Sequence, residues 1–445
     1  MPTRINYTEF NPSELINNNT LHLKAVLMPN NTTKLPDIYQ SVRQRTENIC
    51  APLAIEDYII QPIVEVSPPK WHLAHTTWFF ETFLLKAFCR DYKDFHPQYA
   101  ELFNSYYYTL GDMHPRPERG DLSRPTVEEI YHYRRVIDQQ MLRLLNDINK
   151  TTDPQLVDRV VLGLQHEQQH QELLLTDIKY ILGKNPLRPA YQTLPIPPQV
   201  KQVTPEWIEI EGGIYGIGFD GSGFAFDNEG PRHDQLLSPF SICSHLVTNG
   251  DYMAFLDDDG YQRVELWLSD AWRLLQESAR IKDWQAPLYW EKVDGQWWHM
   301  TLGGMRKVDP NAPVSHLSYF EADAYARWTG KRLPTEAEWE VFAQQRPIIG
   351  NFYEQGWLTP IASNSPQIYG DVWEWTQSPY SAYPGYRALD GALGEYNGKF
   401  MCNQMVLRGG SCATPFDHIR PSYRNFFYPQ DRWQFTGLRL AESLT

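Results

Sequence analysis

The sequence is short of cysteine, of basic charge and of long apolar runs, and each shortage excludes a class of protein. Its five cysteines (Cys50, Cys89, Cys243, Cys402 and Cys412) are odd in number, widely spread and free of any CxxC pair. A disulfide framework is therefore not expected, and a reducing, cytoplasmic setting fits. Lys and Arg number 40 against 54 Asp and Glu, for a net charge of −14. A phosphate reader needs a basic face, so nucleic acid is not the expected partner. No stretch approaches the roughly 18 consecutive apolar residues of a membrane span. The opening residues (MPTRINYTEF NPSELINNNT) lack the charged-then-apolar order of a secretory signal. No segment repeats at a fixed period. With 42% hydrophobic and 21% charged residues the 445-residue chain is ordinary globular material, long enough for two or three domains. Its surplus is aromatic: 15 Trp, 26 Tyr and 20 Phe. Rings in that number imply cores built on aromatics or binding surfaces that use them.

Residues 1–35 are polar and asparagine-rich. From 36 to 185 the pattern is helical, with expected helices at Pro36–Leu53, Trp71–Phe88, from Thr126 (with Glu129 at capping-box spacing) and at Pro154–Leu182. Apolar stripes such as Ile130, Ile137, Met141, Leu145 and Val160, Leu164, Leu174, Ile178 predict four amphipathic helices packed as a bundle. The connection 89–125 is too rich in Tyr, Pro and Arg to be helix, and loops of that length are often functional. Six prolines between 186 and 205 predict an extended linker. From 206 to 445 short strand-like runs, glycine turns and clustered Trp and Tyr predict a mixed α+β domain.

The sharpest chemical signal is His166-Glu-Gln-Gln-His170, two imidazoles one helical turn apart on one face. The second helix adds His72 and His75, either of which can complete a three-histidine set in a bundle core. Spacing does not separate them. Three neutral imidazoles suit zinc, copper or non-haem iron, and spacing does not choose among these either.

WHLAH (71–75) and HEQQHQE (166–172) resemble the DinB-like, iron-binding bundle of the ergothioneine-biosynthetic sulfoxide synthases (hercynine oxygenases). The second half resembles the formylglycine-generating-enzyme (sulfatase-modifying factor) domain that follows it in that family, a fold similar to C-type lectins. The matching segments are FDNEGPRH (226–233), VTNGDY (247–252), PVSHLSYFEADAYARWTGKRLPTEAEWE (313–340), GDVWEWT (370–376), VLRGGSCATP (406–415) and RNFFYPQDRWQFTGLRLA (424–441). They stand in the family's order from about residue 40 to 441.

The resemblance implies that His75, His166 and His170 hold Fe(II), which leaves His72 as a packing residue. It implies a reaction in which O2 drives C–S bond formation between a thiol and C2 of the hercynine imidazole, giving a sulfoxide. Gln169 and Asn425 match residues that contact hercynine. Arg116 and Arg119 match paired arginines that hold the thiol's carboxylate, a role the guanidinium fork suits. Ser105-Tyr106-Tyr107 resembles the family branch whose N-terminal tyrosine pair faces oxygen as proton donor. Phe426 and Phe427 offer an aromatic wall to the trimethylammonium.

Two departures bear on the thiol. The branch using γ-glutamylcysteine carries an acid where Phe427 stands and an arginine where Asp431 stands, so free cysteine is the expected donor. Formylglycine-generating enzymes carry a copper-binding cysteine pair beyond RGGS. Here Cys412 follows Ser411 directly with no second cysteine, so copper-dependent sulfatase activation is not expected. Competing readings are an ovothiol-type histidine–cysteine sulfoxide synthase, a selenium-using relative, a zinc-dependent DinB-like thiol transferase and a non-catalytic lectin-like module. The ovothiol-type enzymes usually carry a further methyltransferase domain, for which the five residues after Leu440 leave no room.

Overall fold

In the computed structural model, which describes residues 34–147, 153–200, 204–221, 223–278 and 284–444, prolines open three of four long helices. Helix α1 is Leu35–Cys50, α2 Pro69–Phe80, α3 Val127–Asp147 and α4 Pro154–Lys184. Pro36, Pro69 and Pro154 occupy first-turn positions, where a missing N–H costs nothing. Helix α3 begins at the expected capping box: the Thr126 N–H donates to Glu129 Oε2 at 2.6 Å and the Glu129 N–H to Thr126 Oγ1 at 3.2 Å. The expected polar segment 1–35 lies, but for its last two residues, outside the described residues.

Ile38, Val42 and Ile49 of α1, Ile130, Ile137, Met141 and Leu145 of α3 and Val160, Leu164, Leu174 and Ile178 of α4 share one core. Helix α2 differs from the amphipathic expectation, because every residue from Pro69 to Phe80 is buried. The 89–125 connection folds back over it, with Phe103 and Tyr107 packed into the same core. At Gly163 a Cβ would stand 2.8 Å from the Phe80 ring, so glycine there lets α4 close on α2 three residues before His166. The same core takes in Tyr191, Leu302, Cys412 and Phe435, so the two halves of the chain are packed as one body. The described part of the proline-rich segment has turns at 186–187 and no strand, and it is tied down. Tyr191 OH donates to the Ile49 carbonyl at 2.6 Å and its N–H to Leu302 O at 2.9 Å.

The second half carries short helices with capping boxes at Thr248/Asp251, Ser318/Glu321 and Thr335/Glu338. Its central four-stranded sheet runs in the order Asn425–Phe427, Met405–Arg408, Trp373–Pro379, Thr436–Gly437. Leu407 stands opposite Asn425 and Met405 opposite Phe427, which makes Asn425–Phe427 an edge strand. Trp339, Trp373 and Trp375 are buried beneath it.

This half docks on α4. Trp373 Nε1–H and the Thr414 hydroxyl each donate to the buried Glu172 carboxylate at 2.8 Å, and Ser411 Oγ donates as well. Gln168 Nε2 donates to Asp417 Oδ1 at 2.8 Å. The GDVWEWT and RGGSCATP motifs thus grip the helix that bears His166 and His170.

Candidate active site

His166 and His170 point from α4 and His75 from α2 into one buried point, where a nitrogen of each lies within 4.8 Å of the others. It is the one group of three or more potential metal-ligating side chains among the described residues. The Nε2 atoms of His75 and His166 are 3.3 Å apart. Burial lowers all three pKa values: His166 falls to about 4, and His75 and His170, which also repel protonation of their neighbours, lie well below the ordinary value. Three lone pairs converging without protons near neutral pH are the donor set a transition metal needs. The residues present therefore fit a bound metal.

The outer nitrogens of the three rings are treated differently. His75 Nδ1–H donates to the Phe103 carbonyl at 2.6 Å, which leaves Nε2 as its inner donor. His166 Nδ1 is buried without a hydrogen-bond partner among the described residues. His170 Nδ1 lies 2.9 Å from His72 Nδ1, and His72 Nε2 lies 2.9 Å from Asp177 Oδ2. His72, expected as a packing residue, is buried and also hydrogen-bonded. Both its nitrogens are engaged in hydrogen bonds, and neither is available to an ion.

Beside the cluster lies a cavity of about 330 Å³, within the size range of small-molecule sites. Tyr106, Arg116, Gln169, Asn425, Phe426 and Phe427 all line it. Gln169 Nε2 donates to Tyr423 OH at 2.8 Å, which fixes the amide at the seam of the two halves. Phe426 stacks on Tyr380 with centroids 4.0 Å apart, and Phe427 meets Trp433 at 5.7 Å. Tyr396 stands in the wall with its ring centroid 6.2 Å from that of His166. On its other side a larger cavity of about 820 Å³ reaches His166, Phe79 and Tyr107.

Arg116 and Arg119 do not form a matched pair. Arg116 is exposed, with its guanidinium donating to the carbonyls of Val64 (3.2 Å) and Glu65 (2.7 Å). Arg119 is buried 3.4 Å from the Trp71 ring centroid, donates to Ser67 Oγ and Ser105 Oγ at 2.9 Å each, and keeps a buried Nε–H unpartnered. Burial pulls its pKa down to about 9, because no carboxylate neutralises it directly. The two tyrosines also part company. For Tyr106, burial pushes the phenol up, but Arg116 and Arg119 outweigh it and the net shift is downward. Tyr107 turns into the aromatic core against Trp78 and Phe83, and its phenol is pushed well up by burial.

Sequence reasoning missed Asp177, Tyr396 and Trp433. Asp177 had a signal: 166, 170, 173 and 177 fall on one face of α4 at helical spacing, and an acid on a buried stripe needs a partner. Tyr396 and Trp433 sit in irregular segments with no periodicity to read.

Residues 38–174 match the DinB superfamily, and residues 193–362 and 364–444 match the sulfatase-modifying factor enzyme 1-like domain. The hercynine oxygenase of Mycolicibacterium thermoresistibile is 31% identical over 84% of this chain and 87% of its own length. That of Mycolicibacterium smegmatis is 30% identical over 84% and 91%. Ergothioneine biosynthesis protein 1 of Schizosaccharomyces pombe is 29% identical over 49% of this chain and 28% of its own length. No helix among the described residues is long and apolar enough to cross a membrane. Two family matches in tandem, and hercynine oxygenases about 30% identical over most of both lengths, lead to one statement: the chain belongs to the hercynine oxygenase family.

Proposed function

We propose that this enzyme joins the sulfur of cysteine to C2 of the hercynine imidazole with O2 as oxidant, giving a sulfoxide on the route to ergothioneine, with Fe(II) held by His75, His166 and His170. One observation carries the reading: six residues singled out for substrate or oxygen line a single cavity whose wall also holds Tyr396, its ring centroid 6.2 Å from that of His166. Bound iron supplies the one-electron chemistry with O2 that the protein's own side chains lack.

The chain's residues do the rest. Gln169 and Asn425 offer amides to the hercynine end, while Phe427 and Phe426, the latter backed by Tyr380, give its trimethylammonium an aromatic wall. Arg119 is a buried cation with an unused N–H, suited to the carboxylate of the thiol substrate, and Arg116 adds charge at the cavity rim. Holding both substrates in one cavity converts their meeting into an intramolecular event. The helical region 36–185 brings the histidines and arginines, and region 206–445 brings the wall that closes on them. In the cavity lining, Phe427 and the buried Asp431 stand where the γ-glutamylcysteine-using branch carries an acid and an arginine, which favours cysteine over γ-glutamylcysteine.

Iron-loaded protein incubated anaerobically with hercynine and equal cysteine and γ-glutamylcysteine, then given O2, is expected to yield mainly the cysteine-derived sulfoxide by mass spectrometry. Absence of any sulfoxide would overturn the reaction, and a γ-glutamyl product would overturn the thiol. The split between the tyrosines gives a second expectation. Tyr106 Oη, lowered in pKa and on the cavity wall, is the proton source, so Tyr106→Phe should divert turnover toward cysteine sulfinate. Tyr107→Phe should leave the sulfoxide-to-sulfinate ratio at its parent value. A parent ratio in Tyr106→Phe would remove the tyrosine from the chemistry.

A further inference from the structure

The contacts behind His170 form a chain that neither of the other two histidines has. Asp177 is 2% exposed and receives three donors: Ser67 N–H at 2.9 Å and His72 Nε2 at 2.9 Å on Oδ2, and Trp433 Nε1–H at 3.1 Å on Oδ1. A carboxylate accepts and does not donate, so His72 must carry its proton on Nε2. In the neutral ring its Nδ1 is then a lone pair, and the 2.9 Å contact makes His170 Nδ1 the donor. The proton on His170 Nδ1 leaves Nε2 as the free nitrogen, turned to the three-histidine point. Each assignment follows from the one before it, and the starting point is the backbone N–H of Ser67 and the indole N–H of Trp433, groups with no tautomers.

From this we infer that Asp177 and His72 are positioning residues for the metal: they fix His170 as an Nε2 ligand and make it the strongest electron donor of the three. The inference rests on the metal assignment above. Hydrogen-bonding a ligand imidazole to an anionic partner raises its basicity and locks its orientation. His75 has only a neutral carbonyl behind it, and His166 Nδ1 has no partner among the described residues. The three donors are therefore graded, with the anionic support on one. That support is also shared between the halves of the chain. Trp433 belongs to the second half, lines the 330 Å³ cavity and touches Phe427, so the wall of the substrate cavity and a metal ligand hold the same carboxylate.

The test uses the full-length protein and Co(II), titrated anaerobically against a chromophoric chelator, with the reduction potential of the iron form measured alongside. Asp177→Asn and His72→Phe are expected to weaken Co(II) binding by roughly 10- to 100-fold, to shift the cobalt d–d bands and to raise the Fe(III)/Fe(II) potential. Trp433→Phe keeps the Ser67 and His72 contacts and should stay close to parent affinity. Asp177→Asn is nearly isosteric, and it carries the test if His72→Phe fails to fold, with circular dichroism and thermal melting as the check. Parent affinity, spectrum and potential in a folded Asp177→Asn would overturn the inference. His75→Ala separates it from the reading beneath it: undiminished cobalt binding there would overturn the metal site itself.

Discussion

His170→Ala is expected to abolish stoichiometric metal binding and to reduce sulfoxide formation to background, and His75→Ala and His166→Ala should do the same. Each removes one of the three buried donors that converge among the described residues, and the flanking side chains are engaged elsewhere. His72 is turned to Asp177, Glu167 to two arginines and Glu172 to the docking hydroxyls. The loss should be chemical and not structural. All three imidazoles are held neutral by burial, so alanine removes no buried charge, and the core around them is completed by Trp71, Trp78 and Phe79. Metal analysis after dialysis, with a melting curve on the same sample, checks both halves of the expectation. Retained metal at one ion per chain in any of the three alanine variants would remove that residue from the ligand set. Added imidazole can occupy the space left at His170, where His72 offers it the hydrogen bond that His170 makes. Partial recovery of metal binding with imidazole would show that only the donor atom is missing.

How much of this was legible in the sequence depended on periodicity. The four helices and the His166/His170 pair follow from 3.6-residue spacing, and the capping box at Thr126 follows from local chemistry. The resemblance separated His75 from His72; the structure gives the physical reason, since His72 is the ring whose two nitrogens are both engaged. What spacing could not show was the return of 89–125 over α2, because no residue in that segment repeats on a face. It therefore could not show that α2 is buried all round, that Tyr106 and Tyr107 look into different cavities, or that Arg119 is buried while Arg116 is not. The specific grip of Ser411, Thr414 and Trp373 on Glu172 involves partners some 200 residues away, a distance over which sequence pattern carries no information.

The largest stability effect should come from the residue next to His166. Glu167 is fully buried and accepts from Arg43 Nη1 at 2.8 Å, Arg134 Nη2 at 2.5 Å and Thr46 Oγ1 at 2.6 Å. The same arginines reach α2, Arg43 to Thr77 Oγ1 at 3.0 Å and Arg134 to Thr76 Oγ1 at 3.2 Å. One carboxylate therefore ties α1, α3 and α4 together and meets α2 at the two residues after His75. Burial pushes its carboxyl up, but Arg134 and Arg43 outweigh that and hold it at about 2. Glu167→Gln keeps the shape but removes the one carboxylate shared by both guanidinium groups, leaving Arg43 only Asp138 at 2.7 Å and Arg134 only Glu47 at 3.3 Å, which should cost about 3 kcal/mol of unfolding free energy near neutral pH. The folded pKa is depressed, so the contribution is present above the unfolded value near 4.5 and is lost as pH falls toward 2. Over that window the parent should lose about 3 kcal/mol that Glu167→Gln does not lose. Denaturant unfolding at pH 7 and at pH 2 measures both numbers, and equal slopes with pH in the two proteins would show that Glu167 is not the titrating group. Replacing Glu167, Arg43 and Arg134 together by apolar residues of similar volume should recover much of the stability, because desolvating three charges costs about as much as pairing them returns. It should not recover the metal affinity, since the Thr76 and Thr77 contacts that set the spacing of His75 from His166 go with the arginines.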